Sequence, residues 1–386
     1  MDYYCPTKFT DLQVHVQSRL LYNCCQAYPE RVDLGWLEAN PGRLFHTNTM
    51  LEDRKLMLDN KSCHSCYHGC YKLEEQGLTS IRQTNNTGSN NSQKKIIDLY
   101  SPMIDLTLIL TTDCNLACVY CSPEFSTSWQ REVQQNGKYV VGDHEISNDN
   151  WSNLWVKIKQ KSRGLDSKFF RLLLNEIKLA RGLKRINLMG GEPLLNNQLE
   201  QVLEHCGNKE INIITGLGVS DERLKRTLEV TKNHNVNFNI SAEATGDHFN
   251  FIRHGLTWDD FTRRVNIIEQ TTKKIKFLST MSNLSVFDFH NFYQYYGGKY
   301  KIVMSTMSGR PFLRPHVLDD RSKQEYHKVL PLLGDNAETM LKMVDPETRE
   351  QDRVDLGSYL KQLSIRRSLK LDFLPKHFLD WCGADA

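Results

Sequence analysis

Between residues 103 and 305, short β-prone apolar runs alternate with longer stretches of helical periodicity, and this alternation limits the fold more than any other feature. The runs 103–111 (MIDLTLILT), 184–189 (KRINLM), 210–215 (EINIIT), 235–241 (NVNFNIS), 274–281 and 299–305 predict strands. Helical patterns stand at 150–162, 166–182, 195–206, 220–233, 257–272 and 285–297. Strands that alternate with helices imply parallel strands joined by helical crossovers. Six such units fall short of the eight that close a barrel. The expected fold is therefore α/β, a partial (β/α)6 parallel barrel, although a doubly wound open sheet satisfies the same pattern. After residue 316 the chain turns helical and charged and ends on LDFLPKHFLDWC, which predicts a helical C-terminal cap over 317–386.

The segment 84–95, TNNTGSNNSQKK, is polar and of low complexity, with nothing to bury. It predicts a flexible linker over 84–97, dividing a cysteine-rich module (1–83) from a core (98–316). Of the 11 cysteines, nine lie in the first 121 residues. No basic segment followed by an apolar run opens the sequence, and no stretch approaches the ~18 apolar residues of a membrane span. The expectation is a cytoplasmic chain without membrane contact, in a reducing compartment where crowded cysteines bind metal rather than pair. A net charge of +3 gives no reason to expect a nucleic-acid partner.

The first core strand leads into TTDCNLACVYC, with Cys114, Cys118 and Cys121 on one short loop. Soft thiolates suit iron–sulfur clusters. Three local ligands leave one iron without a protein thiolate, and an open position is what cofactor or substrate chemistry requires. Parallel-sheet enzymes place their sites beyond the C-terminal ends of the strands. Gly190, Gly191 and Glu192 follow the second strand at that end, and Ser241 and Glu243 follow the fourth. Two glycines let backbone approach a ligand closely, and a carboxylate can accept from an ammonium group.

The triplet with an aromatic before its last cysteine (Tyr120), followed by GGEP after the next strand, resembles the radical S-adenosylmethionine (SAM) superfamily over roughly 103–316. The resemblance implies a [4Fe-4S] cluster on Cys114, Cys118 and Cys121, the residues on which catalysis depends. The amino and carboxylate groups of S-adenosylmethionine would chelate the open iron. Reductive cleavage would release a 5′-deoxyadenosyl radical that takes a hydrogen atom from a substrate. Gly190, Gly191 and Glu192 would hold the methionyl amino group, Tyr120 would lie near the adenine, and Ser241 and Glu243 near the ribose or carboxylate. Arg253, in FNFIRHG, is a further candidate carboxylate partner. A flavodoxin- or ferredoxin-type electron donor is implied.

Ahead of the core, Cys5, Cys24, Cys25, Cys63, Cys66 and Cys70 crowd one segment. The alternating run FTDLQVHVQSRLLYN between Cys5 and Cys24 reads as a hairpin, though Ser18-Arg19 stands where a glycine is usual. With KSCHSCYHGC this resembles the auxiliary-cluster modules called SPASM or twitch, in a group that places the module before the core; CSPEFSTSW also fits that group. A second iron–sulfur cluster is expected on Cys5, Cys24, Cys63 and Cys66, with Cys25 an alternative to Cys24 and Cys70 unplaced. A structural zinc site is the rival. His64 and His68 are expected off the metal, and Cys206 and Cys382 in packing. The substrate expected on this reading is a peptide or protein side chain. A sugar or nucleotide dehydrogenase, a non-catalytic iron–sulfur carrier and a zinc-stapled binding protein are the alternatives.

Overall fold

The computed structural model describes residues 2–75, 77, 80–88, 98–146, 165–307 and 310–384. Its strands, in chain order, are β1 (Asp11–His15), β2 (Leu20–Tyr22), β3 (Glu30–Arg31), β4 (Asp105–Ile109), β5 (Tyr139–Val141), β6 (His144–Ile146), β7 (Arg185–Met189), β8 (Glu210–Thr215), β9 (Val236–Ser241), β10 (Ile275–Met281) and β11 (Lys301–Thr306). Parallel pairings dominate, and the fold is mixed α/β. The chain divides into two compact units: Met1–Thr111 with Lys157–Ile213 and Asn233–Val236, and Thr112–Val156 with Ile214–Lys232 and Asn237–Ala386.

In the first unit β4, β7 and β8 pair in parallel, in register from Asp105↔Arg185 and Arg185↔Glu210. Their inward residues Leu106, Leu108, Ile186, Leu188, Ile211 and Ile213 are buried. The helix Ser167–Leu179 starts where the Asp166 carboxylate accepts from Phe169 N, and buries Phe169, Phe170, Leu173 and Ile177. The expected N-terminal hairpin forms as β1 and β2, antiparallel with Gln13↔Tyr22. Arg19 supplies the left-handed turn residue with φ 55°, a conformation most side chains avoid, and its guanidinium pairs with Asp166 at 3.3 Å. On its other edge β1 runs parallel to β4, from Asp11↔Asp105 to His15↔Ile109, a pairing the sequence did not suggest.

In the second unit β9, β10 and β11 are parallel. Burial along β10 alternates, with Ile275, Phe277 and Met281 inward. The flanking helices Asp221–Thr231 and Trp258–Thr271 start at the side-chain caps of Ser220 and Thr257, and Arg263 and Arg264 join them through Asp221. The C-terminal region forms the helices Asp320–Val329, Ala337–Val344, Glu350–Arg367 and Lys376–Cys382, as its pattern predicted. Glu350–Arg367 packs on β5 of a small hairpin and on Lys376–Cys382. That last contact is closest at Gly357, where a Cβ would stand 1.8 Å from Cys382 O. Gly357→Ala is therefore expected to destabilise the chain by about 1–3 kcal/mol, read as a lower denaturation midpoint.

Three expectations need correction. The linker does not begin at 84, because Ile81–Gly88 is helical; the remainder, 89–97, lies outside the described residues. The pattern at 285–297 is two helices, Asn283–Val286 and Phe289–Tyr296. Asp288 stands between them, its carboxylate taken by Thr245 N, Thr245 Oγ1 and Asn291 Nδ2. The pattern at 195–206 becomes helical only at Leu199, after a tight turn over Pro193–Leu195. The helix expected at 150–162 lies outside the described residues. Among the described residues no helix is long and apolar enough to cross a membrane.

Candidate active site

The loop carrying Cys114, Cys118 and Cys121 is held along its length by hydrogen bonds. Ala117 N donates to His254 O at 2.8 Å and Val119 N to Ile252 O at 2.9 Å, so the loop lies against the segment 252–254. Its carbonyls are met mainly by side chains. Thr127 and Ser128 hydroxyls donate to Cys114 O, Ser126 Oγ to Leu116 O at 2.6 Å, and Trp129 Nε1 to Cys118 O at 2.9 Å. Two glycines give the loop room. Gly255 has φ +104° and a Cβ there would come within 2.8 Å of Asn115 O; at Gly218 a Cβ would come within 2.8 Å of the Leu116 side chain. Ser126 and Trp129 belong to the CSPEFSTSW stretch noted in the sequence, whereas Gly218 and Gly255 carried no distinguishing signal.

Beside this loop the structure gathers three of the predicted residues into one buried group. Arg253 donates through Nε to Glu243 Oε1 at 3.1 Å and through Nη2 to Glu243 Oε2 at 2.5 Å. Tyr120 Oη donates to Glu243 Oε1 at 3.1 Å, and the guanidinium lies 5.1 Å from the Tyr120 ring centre. Arg253 Nη1 is 3.9 Å from Cys118 Sγ. Arg253 thus finds a carboxylate within the chain, on Glu243, where the sequence offered it to a cofactor. Glu243 is only 1% exposed, and a buried carboxylate needs such a partner. Burial pushes the thiols of Cys118 and Cys121 up, the latter to about 12, so anionic sulfur here calls for positive charge nearby. Ser241 ends β9 and is paired in register with Leu278.

Three thiols on one fixed loop, Cys114 and Cys118 buried and Cys121 partly so, are the donor set that an iron–sulfur cluster takes. Among the described residues no three His, Cys, Asp or Glu side chains converge on a single-ion position. A cubane is gripped through three separate irons and asks for ligands spread around it rather than closed on one point. The residues present could hold such a group.

In the first unit the Gly190-Gly191-Glu192 turn follows β7. Gly191 N donates to Thr111 O at 2.7 Å, and a Cβ on Gly190 would stand 2.4 Å from that same oxygen, at φ +145°. The glycine is therefore required for backbone approach. Glu192 is fully buried and its carboxylate accepts from Leu194 N at 3.2 Å, capping the turn over Pro193–Leu195.

Also in the first unit, all six N-terminal cysteines come together. The Cys63 and Cys66 side chains lie close enough to shift each other's titration, as do those of Cys24 and Cys25. Cys5 lies within electrostatic reach of Cys24, Cys66 and Cys70, and Cys70 of Cys24. Cys5, Cys63, Cys66 and Cys70 are buried against Phe9, Met57 and Tyr71. Cys63 Sγ lies 3.6 Å from Tyr71 Oη. The buried Lys8 ammonium faces Cys63 and Cys66 and is tied to Asp53 at 2.5 Å and to Ser65 at 2.6 Å. Cys70, unplaced from sequence, therefore belongs to this group. His64 stacks on Tyr28 with ring centres 5.4 Å apart. Nothing of the His68 side chain lies among the described residues. Cys206 donates to Val202 O at 2.9 Å and Cys382 to Leu379 O at 3.6 Å, both buried in packing as expected.

Residues 108–291 match the profile of the radical SAM superfamily. No curated protein matches the sequence. Among solved structures the chain is similar to native anSMEcpe with bound AdoMet and Cp18Cys peptide, with 13% identity and a TM-score of 0.40 over 61% of this chain and 60% of that one. It is also similar to Streptococcus suis SuiB bound to its precursor peptide SuiA, with 13% identity and a TM-score of 0.36 over 94% of this chain and 70% of that one. The chain thus spans about 60% of the length of the first of these structures.

Proposed function

We propose that the chain is a radical SAM enzyme, as the match over residues 108–291 supports, that Cys114, Cys118 and Cys121 hold a four-iron cluster that cleaves S-adenosylmethionine reductively, and that the substrate is a peptide or protein side chain. The observation that carries this reading is the largely buried triplet loop, held by hydrogen bonds along its length, with Tyr120, Glu243 and Arg253 against it. Bound there, cluster and S-adenosylmethionine would supply a primary carbon radical able to take hydrogen from an unactivated C–H bond. This chain's residues fix the thiols, keep water from them and set the charge around them. Tyr120 and the Arg253–Glu243 pair present a polar, rigid wall beside Cys118. Gly190, Gly191 and Glu192 would receive the methionyl ammonium and Ser241 the ribose, with an electron supplied by a flavodoxin- or ferredoxin-type donor.

The six N-terminal thiols hold a second, auxiliary iron–sulfur cluster on this proposal. Cys5, Cys24, Cys63 and Cys66 are its ligands, and Cys25 and Cys70 lie within the same group. The peptide substrate follows from the resemblance of this module to auxiliary-cluster enzymes.

The test is direct. Anaerobically reconstituted chain, reduced and given S-adenosylmethionine, should form 5′-deoxyadenosine. With a side-chain-deuterated peptide that is a substrate, deuterium should appear in that product. Failure to form 5′-deoxyadenosine at full iron content contradicts the reading. Gly255→Ala should reduce triplet iron in a chain that still folds, because its Cβ would press on Asn115 O; unchanged iron would show that the loop tolerates the shift.

A further inference from the structure

Three cations stand around the triplet loop, and they differ in how they are balanced. Arg253 is paired with Glu243. Arg367 donates to Ala117 O at 2.8 Å and is paired with Glu132 at 2.9 Å. Arg310 spreads its guanidinium between Val119 O and Cys121 O and donates to Tyr359 Oη at 2.6 Å. Tyr359 Oη in turn donates to Val119 O at 2.5 Å. Arg310 is 3% exposed and has no carboxylate partner among the described residues. Its Nε makes no hydrogen bond there either.

A buried cation left without a counter-charge is costly, and a guanidinium is a fixed cation. Carbonyl dipoles and the Trp129 and Tyr359 rings, each 5.3 Å from its central carbon, offset part of that cost. None of them supplies a negative charge. The Cys121 thiol, whose backbone carbonyl Arg310 grips, lies within electrostatic reach of the guanidinium and can carry one.

We infer that Arg310, braced by Tyr359, is a positioning residue that shapes the thiol loop and balances the negative charge the loop acquires when its cluster is bound. This rests on the assignment of the cluster to the triplet. Two consequences separate shape from charge. The two-pronged grip on Val119 O and Cys121 O requires the guanidinium fork, which lysine lacks. The charge requires only a cation. A positive charge close to an anionic cluster favours its reduced, more negative state and raises its potential.

The experiment compares wild type, Arg310→Gln, Arg310→Lys and Tyr359→Phe, each reconstituted without oxygen. It reads iron per chain, the rate of iron loss to a chelator, and the potential of the cluster whose spectrum responds to S-adenosylmethionine. Arg310→Gln should lower that potential by about tenfold in the one-electron equilibrium, ~59 mV. Arg310→Lys should hold the potential and lose iron faster. Tyr359→Phe should leave the potential unchanged and quicken iron loss to a smaller degree. A wild-type potential in Arg310→Gln at full iron content overturns the inference. Should Arg310→Gln not fold, Arg310→Lys decides through iron loss: a faster rate supports the clamp and the wild-type rate overturns it. A wild-type chain with no S-adenosylmethionine-responsive cluster fails at an earlier step and overturns the assignment beneath.

Discussion

Cys118→Ala will form no 5′-deoxyadenosine above the level of cluster-free protein, while iron in the N-terminal module persists. Cys118 is the middle cysteine of the triplet, is buried, and has Arg253 at 3.9 Å from its sulfur. A cubane held by two thiolates has lost a third of its protein grip and gained a second open iron, so both retention and control of chemistry fail. The alanine leaves the backbone bonds of Cys118 in place, including Trp129 Nε1 to its carbonyl, so the fold is expected to survive. Product formation by the variant at or near the wild-type rate would mean that the cluster lies elsewhere.

Arg253→Leu should lower stability by about 3–5 kcal/mol, because it strands the Glu243 carboxylate. Glu243 has Arg253 and Tyr120 as its partners, and a phenol hydrogen bond cannot replace two from a cation. The loss should show as a lower urea midpoint with unchanged slope. The double variant Arg253→Leu with Glu243→Gln should recover much of the difference, since the neutral amide needs no counter-charge. Equal losses in the single and double variants would show that packing, not the buried charge, sets the cost.

Much of the frame was legible because its signals are local. The strands β4 and β7 to β11 announce themselves by apolar runs between polar turns, and the helix starts by Ser, Thr and Asp caps. The triplet was legible because its spacing alone brings three thiols onto one loop. The pairing of β1 with β4 was not, since an alternating run names its buried face and not its neighbour. Arg310, Tyr359 and Arg367 were invisible for a similar reason. They meet the loop across about 190 to 250 residues of chain, and an arginine reads as a solvated residue until its partners are known. Arg253 was noticed for the right chemistry, but the sequence could not reveal that Glu243 takes its fork. Arg19 shows the converse: the hairpin forms without the usual glycine because one left-handed residue is tolerable when its side chain gains Asp166.

The account stands most directly on the iron, sulfide and zinc content of the chain purified and reconstituted without oxygen. It predicts about eight irons per chain with matching sulfide, one four-iron cluster on Cys114, Cys118 and Cys121 and one among the N-terminal thiols. Zinc alone, with no iron taken up after reconstitution, would contradict it.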